Sequence, residues 1–326
     1  MSIIKIGVIG LGVGEQHIIS YQKIKGVEVK AICDINKKKL KEVSFRRNIK
    51  NKFENYKHIT EDPEINAVSI CSYDNYHVEQ AISAFNNGKH VFIEKPIALN
   101  KKEAKNLYNA YIRSKKLISS NLILRTEPRF KLLKKMIEER DFGRIISIEG
   151  DYIHNILWKI TKGWRGKMNF YSVVFGGGIH LIDLMRWLVN SEVNSVSTIS
   201  NKILTKNSIY NYDDCFYSLL KFKNNAIGKT ATSYGPIRSK IHTLNIYGSK
   251  KTFINDRPYA KLFSGIEEMN KKIIKTKYPS HNKGDLIPNF ITSIRKNIQP
   301  EVTAKDIFRT MDVCFAIEKS VIKRFS

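Results

Sequence analysis

A lysine held between a glutamate and a proline, Glu94-Lys95-Pro96, closes the short apolar run His90-Val91-Phe92-Ile93. The run reads as a buried strand stopped by the proline. Lysine is rarely enclosed without a task, and ligands of an open parallel α/β sheet bind outside the carboxyl ends of its strands. At such an end Lys95 could meet a cofactor and a substrate together. The same residues also fit a solvated ion pair followed by a turn proline, so the choice depends on the rest of the chain.

The N-terminus supplies the context. Ile3 to Ile9 is an apolar strand, followed by Gly10-Leu11-Gly12-Val13-Gly14 and a helical pattern from Glu15 to Ile24. Glycines let a backbone turn tightly and approach a pyrophosphate whose charge rests on the helix N-terminus. A second strand, Val27 to Cys33, ends at Asp34, an acid placed to accept hydrogen bonds from an adenosine ribose. Strand, glycine turn, helix, strand and acid in this order point to a bound dinucleotide. NAD(H) is favoured because the Asp34 charge would repel a 2′-phosphate, although Lys37, Lys38 and Lys39 soften that preference and leave NADP(H) admissible. A strict G-x-G-x-x-G pattern needs glycine where Glu15 stands. The third glycine serves helix–strand packing, so Gly14, one place early, is expected to alter that packing and leave binding intact.

A second candidate lies in Gly176-Gly177-Gly178-Ile179-His180-Leu181-Ile182-Asp183. Three glycines remove side chains where a backbone must approach something closely. A helix then starts near His180, and His180 and Asp183, three apart, share a face. A glycine-rich turn with a satisfied histidine and a capping aspartate would look the same in isolation.

The elements that must position these residues fall into two patterns. Up to residue 123 strands and helices alternate: strands 67–72, 90–93 and 116–122, helices 78–86 and 101–114. Repeated βα units argue for a doubly wound parallel sheet. From residue 124 to 326 the pattern becomes a helix over 129–140 and longer strands at 145–153, 194–201, 215–223, 226–233 and 241–247. Helices are expected at 178–190, 284–296 and 304–322. This predicts a dinucleotide-binding α/β domain over 1–123 and an α+β domain over 124–326 built on a large, mostly antiparallel open sheet.

Composition bounds the function. The 326 residues are 42% hydrophobic and 26% charged, as in an ordered globular protein. No apolar stretch is long enough to span a bilayer. Met1-Ser2-Ile3-Ile4-Lys5 runs straight into the first strand, leaving no room for a signal peptide. The four cysteines, Cys33, Cys71, Cys215 and Cys314, form no C-x-x-C pair, and a cytoplasmic protein with reduced thiols is expected. The net charge of +26 comes from lysines spread along the chain. No helix-turn-helix, zinc-finger or aromatic-basic RNA motif accompanies them, so the field favours anionic small molecules rather than nucleic acid. Histidine spacing offers no metal site. Arg238, Lys240 and His242 lie on or near a late strand, either facing an anionic group or as ordinary strand-edge residues.

Taken together, Gly10-x-Gly12, Asp34, Cys71-Ser72, Asn75-Tyr76-His77, Gly88 through Pro96 and Gly177-Gly178-x-His180-x-x-Asp183 resemble the glucose–fructose oxidoreductase / inositol dehydrogenase family (Gfo/Idh/MocA). The resemblance spans nearly the whole chain. It implies a Rossmann domain, a sheet domain, a nicotinamide cofactor, and oxidation or reduction of a sugar or cyclitol carbon in a homodimer or homotetramer. It places Lys95 beside nicotinamide and reacting hydroxyl, and His180 at the hydroxyl proton. Gly10, Leu11, Gly12, Val13, Gly14, Asp34, Ser72, Asn75, His77, Glu94, Lys95 and Asn121 would border the cofactor. Trp164 and Arg165, with Asp183, would support the active site. The family commonly has an aspartate four residues before the histidine, where this chain has Gly176, so a shared Asp-His relay is in doubt. Asn121 to Arg125 and Ser233 to Pro236 look like the branch that acts on sugars or nucleotide-linked sugars in surface glycan synthesis. A nucleotide-linked sugar is therefore expected first and a free sugar or inositol second. A regulator that binds NAD without turnover is the alternative of another class, disfavoured because a sensor needs neither Lys95 nor His180.

Overall fold

A computed structural model describes residues 3–237 and 241–321. Arg238 and Lys240 lie outside the described residues. The described residues form two units: one runs from residue 3 to Ile123 and includes Asn282–Phe308, the other comprises Leu124–His281 and residues 309–321.

The first unit alternates as its sequence pattern requires: β1 (Ile4–Ile9), α1 (Gly14–Gln22), β2 (Val27–Cys33), α2 (Lys37–Arg47), β3 (Asn51–Phe53), α3 (Lys57–Thr60), β4 (Ala67–Ile70), α4 (His77–Asn86), β5 (His90–Ile93), α5 (Lys101–Ser114) and β6 (Ile118–Ser120). The strands pair in parallel in the order β3-β2-β1-β4-β5-β6. This is the doubly wound dinucleotide-binding order, whose direction reverses between β1 and β4. Its central strands are buried on both faces, with Ile6, Val8, Val68, Ile70, Val91 and Phe92 all fully enclosed. Helix α5 shows the local logic: Asn100 accepts a hydrogen bond from the Glu103 amide (2.9 Å) and so caps it, while Ala104, Leu107 and Ala110 bury one face.

The second unit contains α6 (Pro128–Glu138), β7 (Ile145–Ile153), α7 (Trp158–Thr161), a π-helical turn over Val174–Gly178, α8 (Ile179–Val189), β8 (Val193–Asn201), β9 (Cys215–Phe222), β10 (Ile227–Ser233), β11 (Ile241–Gly248), β12 (Thr252–Ile254), β13 (Ala260–Phe263) and β14 (Lys271–Ile274). Eight strands form one sheet, β14-β13-β12-β11-β7-β10-β9-β8, antiparallel except for the β7–β10 pair. Helix α8 covers one face: Gly150 of β7 admits Leu181 and Met185 where a side chain would crowd them. Strand β9 alternates buried and exposed residues, as a sheet with one packed face must.

The continuous second domain expected over 124–326 is interrupted. Helix α9 (Ile287–Lys296) packs with the first unit, where Phe290 meets Phe92 (ring centroids 5.5 Å apart). Ser119 Oγ donates to the Val302 carbonyl (3.1 Å) and Ser20 Oγ to that of Gly284 (2.8 Å). The division falls inside α10 (Ala304–Lys319).

Candidate active site

In the first unit the strand ladder continues past the strand ends. Gly10 N donates to Cys33 O (2.8 Å), Cys71 N to Ile9 O (2.7 Å), Glu94 N to Ile70 O (2.8 Å) and Asn121 N to Ile93 O (3.3 Å). These bonds set Gly10, Cys71, Glu94 and Asn121 side by side along the carboxyl edge of the sheet, at its topological switch point.

The glycine turn is built for close approach. Gly10 has φ +83°, and a Cβ there would lie 2.5 Å from the Cys71 carbonyl and the Ser72 amide nitrogen. A Cβ on Gly12 would meet nothing within 4 Å, which leaves that side of the turn open. At Gly14 a Cβ would stand 3.0 Å from Val8 and 3.4 Å from Cys71, so Gly14 sets the α1–β1 spacing. Glu15 turns outward to Arg46 (2.9 Å) and Arg47 (2.8 Å) of α2. Leu11 N and Asn36 N donate to the two Asp34 oxygens (2.7 and 2.8 Å), tying the acid to the turn. With Val13 leading into α1 and no side chain capping its first amides, the turn fits a dinucleotide: unsatisfied N–H groups, open space and a fixed acid.

The other expected cofactor neighbours divide. Asn75 is exposed. Ser72 Oγ donates to Gln80 Oε1 (2.7 Å). His77 is fully buried, its ring nitrogens facing the carbonyls of Pro96 (2.6 Å) and Ser72 (3.2 Å). It therefore braces the loop after β4 against the residue following Lys95. Asn121 Nδ2 donates to Glu94 Oε1 (2.7 Å) and to the Lys283 carbonyl (2.9 Å). Lys95 itself is half-buried.

One participant is not signalled by motif reading. His17 of α1 is wholly enclosed, with Nε2 3.3 Å from Glu94 Oε1 and Nδ1 2.9 Å from Ser69 Oγ and 3.2 Å from Cys71 Sγ. Burial opposes its charge, but Cys71 and Glu94 outweigh that and raise its pKa to about 10. Burial likewise opposes the Glu94 charge, yet His17, Lys95 and Asn121 bring its carboxyl down to about 2. Its position three residues after Gly14, on the helix face turned to the sheet, is the only sequence signal it carries.

In the second unit the three glycines have separate tenants. A side chain at Gly176 would overlap the Tyr171 and Tyr234 hydroxyls, which lie 3.2 Å from each other. One at Gly177 would stand 2.5 Å from the Tyr152 ring, and one at Gly178 would overlap Thr232 Oγ1. Both tyrosines of the hydroxyl pair are buried, so the position where the resemblance places an aspartate has no room for one. Tyr152 sits opposite both Thr232 and His242 in register, which puts the three on one face of the sheet. Its ring stacks on that of His180 (centroids 6.4 Å, 27°) and packs on His154 (4.7 Å), His242 (5.7 Å) and Tyr234 (6.0 Å). Burial pushes the Tyr152 hydroxyl well above the ordinary phenol range, with Tyr234 adding to the effect and Arg165 opposing it. Arg165 lies over the Trp164 ring (4.2 Å) and 5.6 Å from that of Tyr171, so the Trp-Arg pair adjoins the tyrosines under the glycine turn.

Asp183 does not serve His180. Arg125 grips both its oxygens (Nε to Oδ2 2.9 Å, Nη2 to Oδ1 2.6 Å), and Thr310 Oγ1 adds a longer bond (3.3 Å). Both partners of this ion pair are buried. Three residues on, its side chain turns into the core rather than along the His180 edge, making it an anchor for α8.

Glycine turn, anchored acid and strand order define a dinucleotide-binding domain, and comparison with known proteins places it in an oxidoreductase family. Residues 4–122 match the oxidoreductase family with an NAD-binding Rossmann fold, and residues 130–254 match the GFO/IDH/MocA C-terminal domain. The chain belongs to the Gfo/Idh/MocA family, as its motifs led us to expect, and residues 4–122 of its first unit are that family's NAD-binding domain. It is similar to levoglucosan dehydrogenase of Pseudarthrobacter phenanthrenivorans, 25% identical with 87% of this chain and 83% of the relative covered. Myo-inositol 2-dehydrogenase of Thermotoga maritima is 26% identical, with 77% and 75% covered. Among solved structures, levoglucosan dehydrogenase in complex with NADH shares the fold at a TM-score of 0.84 and 23% identity, over 97% of this chain and 96% of that one.

Proposed function

We propose that the chain transfers a hydride between NAD(H) and a secondary alcohol carbon of a sugar or cyclitol. The observation that carries this reading is Lys95 emerging at the carboxyl edge of the Rossmann sheet, in line with the glycine turn and Asn121. The relatives named above, which act on levoglucosan and myo-inositol, support a free sugar or cyclitol as substrate. The bound nicotinamide would supply the hydride acceptor or donor. Lys95 holds an ammonium where alkoxide charge develops, an interaction that strengthens in a dry site. His180 exchanges the hydroxyl proton, which imidazole does readily near neutrality. Gly10, Leu11, Gly12 and Val13 would hold the pyrophosphate and Asp34 the ribose. Ser72, Asn75, His77 and Asn121 shape the rim.

The test is spectrophotometric: purified protein with NAD, then NADP, against free sugars, inositols and nucleotide-linked sugars, reading the NADH band. Lys95→Ala should lose ~100-fold or more in turnover while NADH affinity stays within about threefold of wild type. Retained turnover removes the lysine from the mechanism. Silence across the panel with NADH still bound would favour the regulator reading.

A second reading, a nucleotide-linked sugar, has one observation in its favour. An open pocket of the second unit is lined by Arg257, Lys275 and Lys277 beside Tyr259 and Tyr278, with no carboxylate among its lining residues. Buried Arg129 braces that pocket by donating to the carbonyls of Asp256, Pro258 and Thr276. Three cations and two aromatic rings suit a diphosphate and a base. Turnover with a nucleotide sugar alone would select it. Exposed Ile199, Tyr217, Leu219 and Ile227 on the uncovered sheet face support the expected homo-oligomer.

A further inference from the structure

We propose that His17 is a positioning residue for Lys95, acting through Glu94: the imidazole engages the carboxylate next to Lys95 and so weakens that carboxylate's hold on the ammonium. The proposal deepens the function argued above and rests on it. Glu94 and Lys95 are consecutive, and the Lys95 charge is among those that act on the Glu94 carboxyl. In a low-dielectric setting an uncompensated carboxylate is a strong competitor for a neighbouring ammonium. Two other groups occupy it here, and both meet the same oxygen, Oε1: His17 Nε2 at 3.3 Å and Asn121 Nδ2 at 2.7 Å.

The imidazole is held by more than that contact. Its Nδ1 faces Ser69 Oγ and Cys71 Sγ of the β4 segment, both able to accept, while Nε2 stands at ion-pair distance from Glu94 without hydrogen-bond geometry. Its ring meets the edge of Phe92 of β5 at 5.3 Å and 77°. Among the described residues, the titratable groups around it are Glu94 and, through it, Lys95 just past β5, Cys71 just past β4, and Tyr21 of its own helix, which shares Ser69 and Cys71 with it. Its setting opposite Glu94 is thus built by the β4 and β5 segments together with its own helix. It also has a sign consequence: removing the imidazolium leaves Glu94 beside Lys95 without its cationic neighbour, held by neutral Asn121, and favours the protonated amine.

The experiment compares wild type, His17→Gln, Glu94→Gln and His17→Gln/Glu94→Gln as full-length protein. Competitive acylation of Lys95 across pH, read by peptide mass spectrometry, gives its titration midpoint without any need for turnover. His17→Gln is expected to raise that midpoint by about one pH unit, to lower kcat at least ~10-fold and to leave NADH affinity within about threefold. The double variant should return the midpoint towards wild type and recover most of the turnover, which a merely structural histidine would not permit. Glu94→Gln, nearly isosteric, should lower the midpoint below wild type. An unmoved midpoint in either single variant, or a double variant no better than His17→Gln, overturns the proposal; if His17→Gln does not fold, Glu94→Gln still decides it. Absence of turnover in wild type would instead overturn the assigned reaction, while the midpoints would still judge the His17 role.

Discussion

Two glycine-rich turns, Gly10–Gly14 and Gly176–Gly178, each lead into a helix, yet the structure uses them in opposite ways. At the first, the side of Gly12 is open and Gly10 is folded against the Cys71 backbone with a positive φ. At the second, the space a side chain would need at each glycine is already filled by the protein's own Tyr171, Tyr234, Tyr152 and Thr232. Glycine at the first turn makes room for a ligand. At the second it makes room for the side chains that surround His180. A glycine run before a helix is therefore ambiguous until the neighbours of each missing Cβ are known.

The comparison can be broken most severely at Gly10. Gly10→Ala must adopt a positive φ and push against main chain, which cannot rotate away. A loss of about 3 kcal/mol is expected from strain and contact together, with NADH binding lost as well. Urea denaturation and NADH fluorescence read the two effects. A stable Gly10→Ala protein with normal NADH affinity would mean that the turn is not the cofactor cradle.

Gly177→Ala should cost less and act differently. In a helical setting alanine gains about 1 kcal/mol over glycine, so a net loss reports packing alone. With its Cβ 2.5 Å from the Tyr152 ring, the expected net loss is roughly 2 kcal/mol, with NADH affinity unchanged. In a Tyr152→Ala background the cost of the same substitution should shrink below about 1 kcal/mol. Equal costs in both backgrounds would show that Tyr152 is not what the glycine admits.

The sequence made the first turn far more legible than the second. Its residues act through local order, and strand, turn, helix, strand and acid are contiguous up to Asp34. Helix α5 and strand β7 likewise have the bounds their periodicity predicts. The environment of His180 depends instead on register: Tyr152 matters because β7 pairs it with Thr232 and His242, residues about 80 and 90 positions away. Asp183 misleads for a related reason. Spacing sets it one turn from His180, while Arg125, 58 residues earlier, takes its carboxylate. The return of α9 to the first unit is invisible to a reading that follows chain order, and β12, β13 and β14, at three or four residues each, are too short to show a period.

The sharpest test of the contrast is the mildest substitution, Gly12→Ala. Nothing in the protein lies within 4 Å of the added methyl, and Gly12 has no positive φ to defend. Stability should therefore stay within about 0.5 kcal/mol of wild type. A pyrophosphate seated against this turn would meet the methyl directly, so NADH affinity should fall about tenfold, equivalent to roughly 1.4 kcal/mol. Separation of the two readouts is what a ligand-facing glycine demands, because a packing glycine such as Gly177 moves stability and leaves affinity alone. If Gly12→Ala leaves NADH binding untouched, the open side of the turn does not face the cofactor, and the pyrophosphate must be sought along the α1 N-terminus beyond it.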